Sequence, residues 1–198
     1  MSDRLMYDST NMDAIPLDAQ IVAGYPHAFP TDYARFPHAL QVKIDQHGNH
    51  ADDCHVVDVE AGTVTIATAR QWVASWHVLH PHGLAAVNGF FDQPTVYIQE
   101  SNLAALRQAL VGEVYDVWVA WWDRGTSPVS GTSLLQYASP TSNPPSGGDY
   151  DVSVVYDATW GVAFAPPPPP TWQATALAMA KKTEADAAAV VTYLEAHQ

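Results

Sequence analysis

Asp58-Val59-Glu60 closes the apolar run His55-Val56-Val57 and is followed at once by Ala61-Gly62-Thr63. Successive side chains on a strand point to opposite faces, so acids two residues apart project from the same face, roughly 6 to 7 Å apart along the backbone. Each charge raises the pKa of the other. One acid then stays protonated while its neighbour ionises, which is the division of labour that glycoside hydrolysis uses. Two further acids end apolar runs, Asp8 after Leu5-Met6-Tyr7 and Asp45 after Val42-Lys43-Ile44. A lone Asp after a strand serves more often as a turn or helix-cap residue. A pair held on one strand face is a candidate catalytic centre.

The elements that must position these acids follow from hydrophobic periodicity. Short β-rich segments recur at Leu5 to Tyr7, Ile21 to Tyr25, Leu40 to Ile44, His55 to Val59, Ala85 to Phe90, Thr95 to Ile98, Val117 to Trp122, Leu134 to Tyr137 and Val152 to Tyr156. Helical patterns lie between several of them. Thr65 to Leu79 carries Ile66, Ala69, Trp72, Val73 and Trp76 on one stripe, and Asn102 to Leu110 follows the N-cap candidate Ser101. Strands alternating with helices predict a parallel α/β sheet, either a barrel or a doubly wound open sheet. Neither G-x-G-x-x-G nor a P-loop follows any strand, which favours the barrel. In a barrel, active residues sit at the C-terminal ends of the strands, so Asp8, Asp45, Asp58 and Glu60 are expected at one mouth. Tyr97, Trp118, Trp121, Trp122 and Tyr137 lie in or just after strands and divide between core packing and stacking on the apolar faces of sugar rings. Strand alternation over Val117 to Trp122 puts Trp118 and Trp122 on one face and Trp121 on the other.

Composition bounds the rest. The 198 residues suit one domain with an appendage, and 47% hydrophobic content with seven Trp, nine Tyr and five Phe predicts a globular fold. The boundary falls at Pro166 to Pro170, five consecutive prolines that form an extended spacer. Residues 1–165 are then the domain, 166–171 the linker, and 172–198 an Ala-rich helix that either packs back on the domain or joins another domain or copy. A formal charge of −13 excludes nucleic-acid phosphate as a partner and disfavours a membrane surface. Cys54 is the only cysteine, so no internal disulfide forms. The N-terminus lacks an apolar signal segment and no run is long enough to span a membrane, so synthesis in the cytoplasm is expected, with export or release by another route. His47, His50, Asp52, Asp53, Cys54 and His55 offer zinc donors, but their spacing fits no zinc signature and reads more simply as a solvated loop. No metal or cofactor is expected. Cys54 has no nucleophile-elbow motif and G-x-S-x-G is absent.

Taken in order, these segments resemble the family 25 glycoside hydrolases, the Chalaropsis-type lysozymes of bacteria and phage endolysins. Tyr7-Asp8-Ser9 resembles the family's opening aspartate strand, and Val42 to Gly48 its third strand. Asp58-Val59-Glu60 is similar to its D-x-E, Val96-Tyr97-Ile98 to its fifth strand, and Val117-Trp118-Val119-Ala120 to its W-[IV]-A strand. Gln136-Tyr137 is similar to its Q-Y strand, and Asp151-Val152-Ser153-Val154 to a late strand that begins with an acid. The resemblance implies a compact, modified TIM-like (β/α) barrel that hydrolyses the β-1,4 bond between N-acetylmuramic acid and N-acetylglucosamine in peptidoglycan. It implies Glu60 as general acid and Asp58 as the group that orients or stabilises the intermediate. Asp8, Asp45, Tyr97, Trp121, Gln136, Tyr137 and Asp151 are the implied substrate contacts. The alternative is a lysozyme-like barrel that binds glycans, or serves a larger phage assembly, without catalysis. Two departures bear on the outcome: Ile44-Asp45-Gln46 stands where the family more often has small residues and Glu, and ~165 residues are few for an eight-stranded barrel, so outer helices must be reduced to loops.

Overall fold

The computed structural model describes residues 4–142 and 145–162, so the expected proline linker and C-terminal helix lie outside the described residues. In chain order the strands are β1 (Arg4–Asp8), β2 (Ile21–Gly24), β3 (Leu40–Asp45), β4 (Val56–Val59), β5 (Leu84–Ala86), β6 (Gly89–Phe91), β7 (Thr95–Gln99), β8 (Asp116–Ala120), β9 (Leu134–Ala138) and β10 (Asp151–Val155). Helix α1 (Ile66–Leu79) lies between β4 and β5, and α2 (Leu103–Ala109) between β7 and β8. Eight of the strands close a barrel in the order β1-β10-β9-β8-β7-β4-β3-β2. Neighbours are parallel throughout except at β10, which runs antiparallel to both β9 and β1. This is a compact, modified TIM-like α/β barrel whose outer layer is reduced.

The reduction has a local cause. Between β1 and β2, and between β2 and β3, single 3-10 turns at Met12–Ala14 and Tyr33–Arg35 take the place of helices. Asn11 and Asp32 cap these turns by accepting from the N–H groups two residues on. A small satellite core of Met12, Ile15, Ala19, Val22, Phe36 and Ala39 then covers the outside of the sheet where helices are absent. Strand alternation is visible at β1, where Met6 joins the main core and Tyr7 packs outward on the satellite.

Helix α1 forms as its periodicity predicts. Thr65 is the N-cap, its hydroxyl accepting from the Thr68 N–H, and Ala69, Trp72, Val73 and Trp76 are the buried stripe. Each buried indole also finds an acceptor, Asp45 Oδ2 for Trp72 at 2.9 Å and the Cys54 carbonyl for Trp76 at 3.1 Å. Helix α2 is shorter than its sequence pattern, because a 3-10 turn occupies Glu100–Asn102 and the cap falls on Asn102 rather than Ser101. The single strand expected over Ala85 to Phe90 is instead the hairpin β5-β6, turned at Asn88 with φ 58°. Asn is among the few side-chain-bearing residues that take this conformation readily, and its amide donates to the carbonyls of Pro37 and Ala39. Strand β8 stops at Ala120, so the alternation that was to place Trp121 and Trp122 on opposite faces ends one residue too soon.

Candidate active site

Asp8 ends β1, Asp58 lies in β4, and Glu60 stands one residue beyond that strand. The strand ends between the two acids, and both still act on Asp8 and Tyr25. Asp58 is in the sheet and Glu60 is in the turn that follows. The turn is built by Thr63, whose hydroxyl accepts from the Glu60 N–H at 2.8 Å and faces the Asp58 carbonyl at 3.0 Å. Gly62 has φ +91°, a conformation that side chains strain to adopt, which lets the chain reverse so tightly after Glu60.

Asp151 begins β10, and because that strand is reversed its N-terminal end lies at the same mouth as the C-terminal ends of the others. Asp8 and Asp151 are direct register partners. Gln136, from β9, donates its amide N–H to Asp151 Oδ2 at 2.5 Å, and Tyr97, from β7, donates its hydroxyl to Glu60 Oε1 at 3.2 Å. Asp8, Asp58 and Gln136 are buried, whereas Glu60 and Asp151 are half-buried. An open cavity of about 140 Å³ is lined by Asp8, Tyr25, Tyr150 and Asp151 with their neighbours.

The electrostatics are those of crowded, desolvated acids. Burial pushes Asp58 up to about 8, with Glu60's charge adding to the effect. Burial likewise raises Asp8 well above the carboxylate range, with Asp151, Asp58 and Glu60 contributing in that order. Asp151 is pushed up to about 6 by burial, against the opposing hydrogen bond from Gln136. The hydroxyl of Tyr25, one residue past β2, is also pushed up by burial and by the charges of Asp8, Asp58, Asp151 and Glu60. Strand periodicity marks Tyr25 only as the end of a strand. Its position just past a strand terminus, the same that singled out the acids, is the signal that could have placed it here.

Other expected contacts lie elsewhere or do other work. Asp45 is completely buried and its carboxylate is spent on structure: Oδ1 accepts from the N–H groups of His47 at 2.8 Å and Gly48 at 2.9 Å, and Oδ2 from His50 N–H at 2.6 Å and the Trp72 indole. These four donors fill the lone-pair directions of a carboxylate, so Asp45 holds the loop that leaves β3 and has none left for a substrate. Trp121 follows β8, half-buried, with the Arg124 guanidinium 4.5 Å above its ring. Tyr137 is half-buried and packs on the outside of the core, the face opposite to Gln136. Trp118 belongs to the barrel interior, donating to Ser153 Oγ at 3.0 Å and meeting the Tyr97 ring edge-on at 4.7 Å.

The polar loop after β3 is partly folded into the barrel. His55 is buried, accepts the Lys43 N–H at 3.0 Å through Nδ1, and is pushed down to about 3 by burial. Asp53 pairs with Lys43 Nζ at 3.0 Å and with His27 Nε2 at 2.9 Å. His27, His50 and Asp53 bring their donor atoms within 4.8 Å of one another, but the two imidazoles are stacked at 3.6 Å with planes 5° apart. A metal must lie in the plane of each ring it binds, and two stacked parallel planes share no such point, so these rotamers do not form a two-histidine centre.

No family model matches the chain, and no curated protein does. Among solved structures, the Clostridium perfringens spore cortex lytic enzyme SleM matches with a TM-score of 0.48 and 10% identity over 80% of this chain and 69% of that one. The Mycobacterium tuberculosis Tat-secreted protein Rv2525c, solved in complex with L-tartrate, matches with a TM-score of 0.52 and 13% identity over 81% of this chain and 98% of that one. At that identity the likeness to Rv2525c is one of fold: nearly the whole of that protein and the described barrel share one architecture.

Proposed function

We propose that the barrel is a glycoside hydrolase of the muramidase type, cleaving the β-1,4 bond between N-acetylmuramic acid and N-acetylglucosamine in peptidoglycan. The observation that carries this reading is the convergence of Asp8, Asp58, Glu60 and Asp151 on one barrel mouth, where burial and mutual repulsion raise Asp8, Asp58 and Asp151. Such a mouth holds protonated and ionised carboxyls side by side at neutral pH, as acid-catalysed glycoside cleavage requires. Glu60, half-buried on the rim and held by Tyr97, gives its proton to the glycosidic oxygen as the C–O bond breaks. Asp58, buried in the strand that precedes it, orients the substrate's N-acetyl group. Water then adds its hydroxide to the anomeric carbon and returns a proton to Glu60, so the site ends as it began.

Turbidity loss of purified cell walls tests the reading directly. Wild type is expected to clear the suspension, with Glu60→Gln slower by about 10²- to 10⁴-fold, the usual worth of a positioned proton donor. Equal clearing by both would refute the role of Glu60. Clearing by neither would favour a barrel that binds glycan without cutting it.

A further inference from the structure

The mouth is acidic without any protein cation to balance it. The charges that act on Asp8, Asp58 and Asp151 are all carboxylates. Among the described residues every Lys and Arg is engaged away from them. Arg4 donates to the carbonyl of Trp160, Arg35 pairs with Asp13, and Lys43 with Asp53. Arg70 pairs with Glu113, Arg107 donates to the carbonyls of Ser130 and Gly131, and Arg124 to those of Ser127 and Pro128. A second observation is independent of charge. Three buried oxygens, Asp8 Oδ1, Asp58 Oδ1 and the amide Oε1 of Gln136, have no donor. Gln136 is only 1% exposed, and its amide is pinned beside Asp151 through Nε2. Buried acceptors left without donors are destabilising, more so when charged, so a donor-rich ligand is stabilised at this mouth.

Among the described residues no three of the mouth's acids bring ligand atoms within 4.8 Å of one another, the one group of His, Cys, Asp or Glu that does so being His27, His50 and Asp53. A primary ammonium is a donor-rich ligand of the kind required, supplying three N–H donors and the missing positive charge from one atom. We infer that the mouth recognises a glycan whose bound glucosamine carries a free amino group, the ammonium sitting among Asp8, Gln136 and Asp151. The inference rests on the glycan reading of the site and narrows its substrate class to de-N-acetylated strands. It also accounts for the chain's charge of −13, which repels an anionic strand and attracts a cationic one.

Isothermal titration at pH 6 of the full chain with tri-glucosamine and with tri-N-acetylglucosamine, in buffers of different ionisation enthalpy, tests this. The expected result is at least about tenfold tighter binding of the amino trimer, with release of about one proton as a carboxyl of the mouth ionises against the ammonium. The acetylated trimer should release none. Asp8→Asn and, independently, Asp151→Asn should abolish the preference, and a shared loss of folding is monitored by tryptophan fluorescence. Asp92→Asn neutralises an exposed acid ahead of β7, at the opposite end of the barrel, and should leave the preference intact. Equal or tighter binding of the acetylated trimer overturns the inference and leaves the glycan reading standing. An equal loss of preference in Asp92→Asn overturns it in favour of diffuse attraction by the whole chain. Binding of neither trimer overturns the inference, while wall clearing decides the glycan reading separately.

Discussion

Asp58 provides a perturbation whose size can be worked out in advance. Its carboxyl ionises near 3.8 in an open chain but is pushed up to about 8 in the barrel, so between those values the folded state holds a proton that the unfolded state lacks. Stability must therefore fall as pH rises through this window, by about 1.4 kcal/mol per pH unit for this one group. At pH 7 the accumulated cost is about 4 kcal/mol, and below pH 4 it is absent. Asp58→Asn keeps the shape of the side chain and removes the titration. Its amide brings an added buried donor, a penalty of about 1 to 3 kcal/mol that does not vary with pH. The decisive quantity is thus the slope. Urea unfolding followed by tryptophan fluorescence at pH 4, 5, 6, 7 and 8 should show the variant gaining on wild type by about 1.4 kcal/mol per unit up to pH 8 and no further. The variant should be the less stable at pH 4 and the more stable at pH 7 to 8, while clearing cell walls poorly. A difference that stays flat across the range, or that grows towards acid, would refute the claim that the barrel holds Asp58 against its ionisation.

Asp45→Ala should destabilise the barrel by about 3 to 5 kcal/mol, since it strips the acceptor from three backbone N–H groups and the Trp72 indole. Denaturant unfolding measures this, and wall clearing per folded molecule should be unchanged; a selective loss of affinity for wall fragments would restore Asp45 as a substrate contact. Tyr97→Phe removes the hydroxyl that holds Glu60 Oε1, and kcat should fall about 10- to 150-fold with little change in KM, because a hydrogen bond to a charged group is worth about 1.5 to 3 kcal/mol. Steady-state kinetics on soluble wall fragments would decide it, and a change confined to KM would show that Tyr97 binds sugar rather than positions Glu60.

Much of this architecture is legible in periodicity because the forces that fix it are local. The Trp72 and Trp76 stripe forms a helix wherever it is placed, since its buried face repeats with the helical period. Asp8 and Asp58 could be placed at a mouth because a parallel barrel brings strand ends together by construction. Glu60 stands one residue past the strand, because a two-residue period holds only while the strand lasts and Gly62 lets the chain turn directly afterwards. The hairpin turn at Asn88 was missed for a similar reason: a positive φ at a side-chain-bearing residue leaves no trace in hydrophobic alternation.

The remaining contacts join residues far apart in the chain. Asp45 has the same type and the same strand-end position as Asp8, and only the arrival of helix α1 shows that its carboxylate is consumed by Trp72. Tyr25 joins the acids because β2 pairs with β1, which in turn pairs with β10, so the ends of the three strands share one mouth. Asp151 reaches the mouth only because β10 runs antiparallel to both neighbours, and strand direction is decided by which edges are left to pair when the sheet closes. The sequence by itself determined which residues carry the chemistry and which segments form strands and helices, since both follow from side-chain type and local period. Tertiary structure alone decided which acids meet and which of them lose their water, because pKa and proximity depend on burial and on charges that the chain brings together from opposite ends.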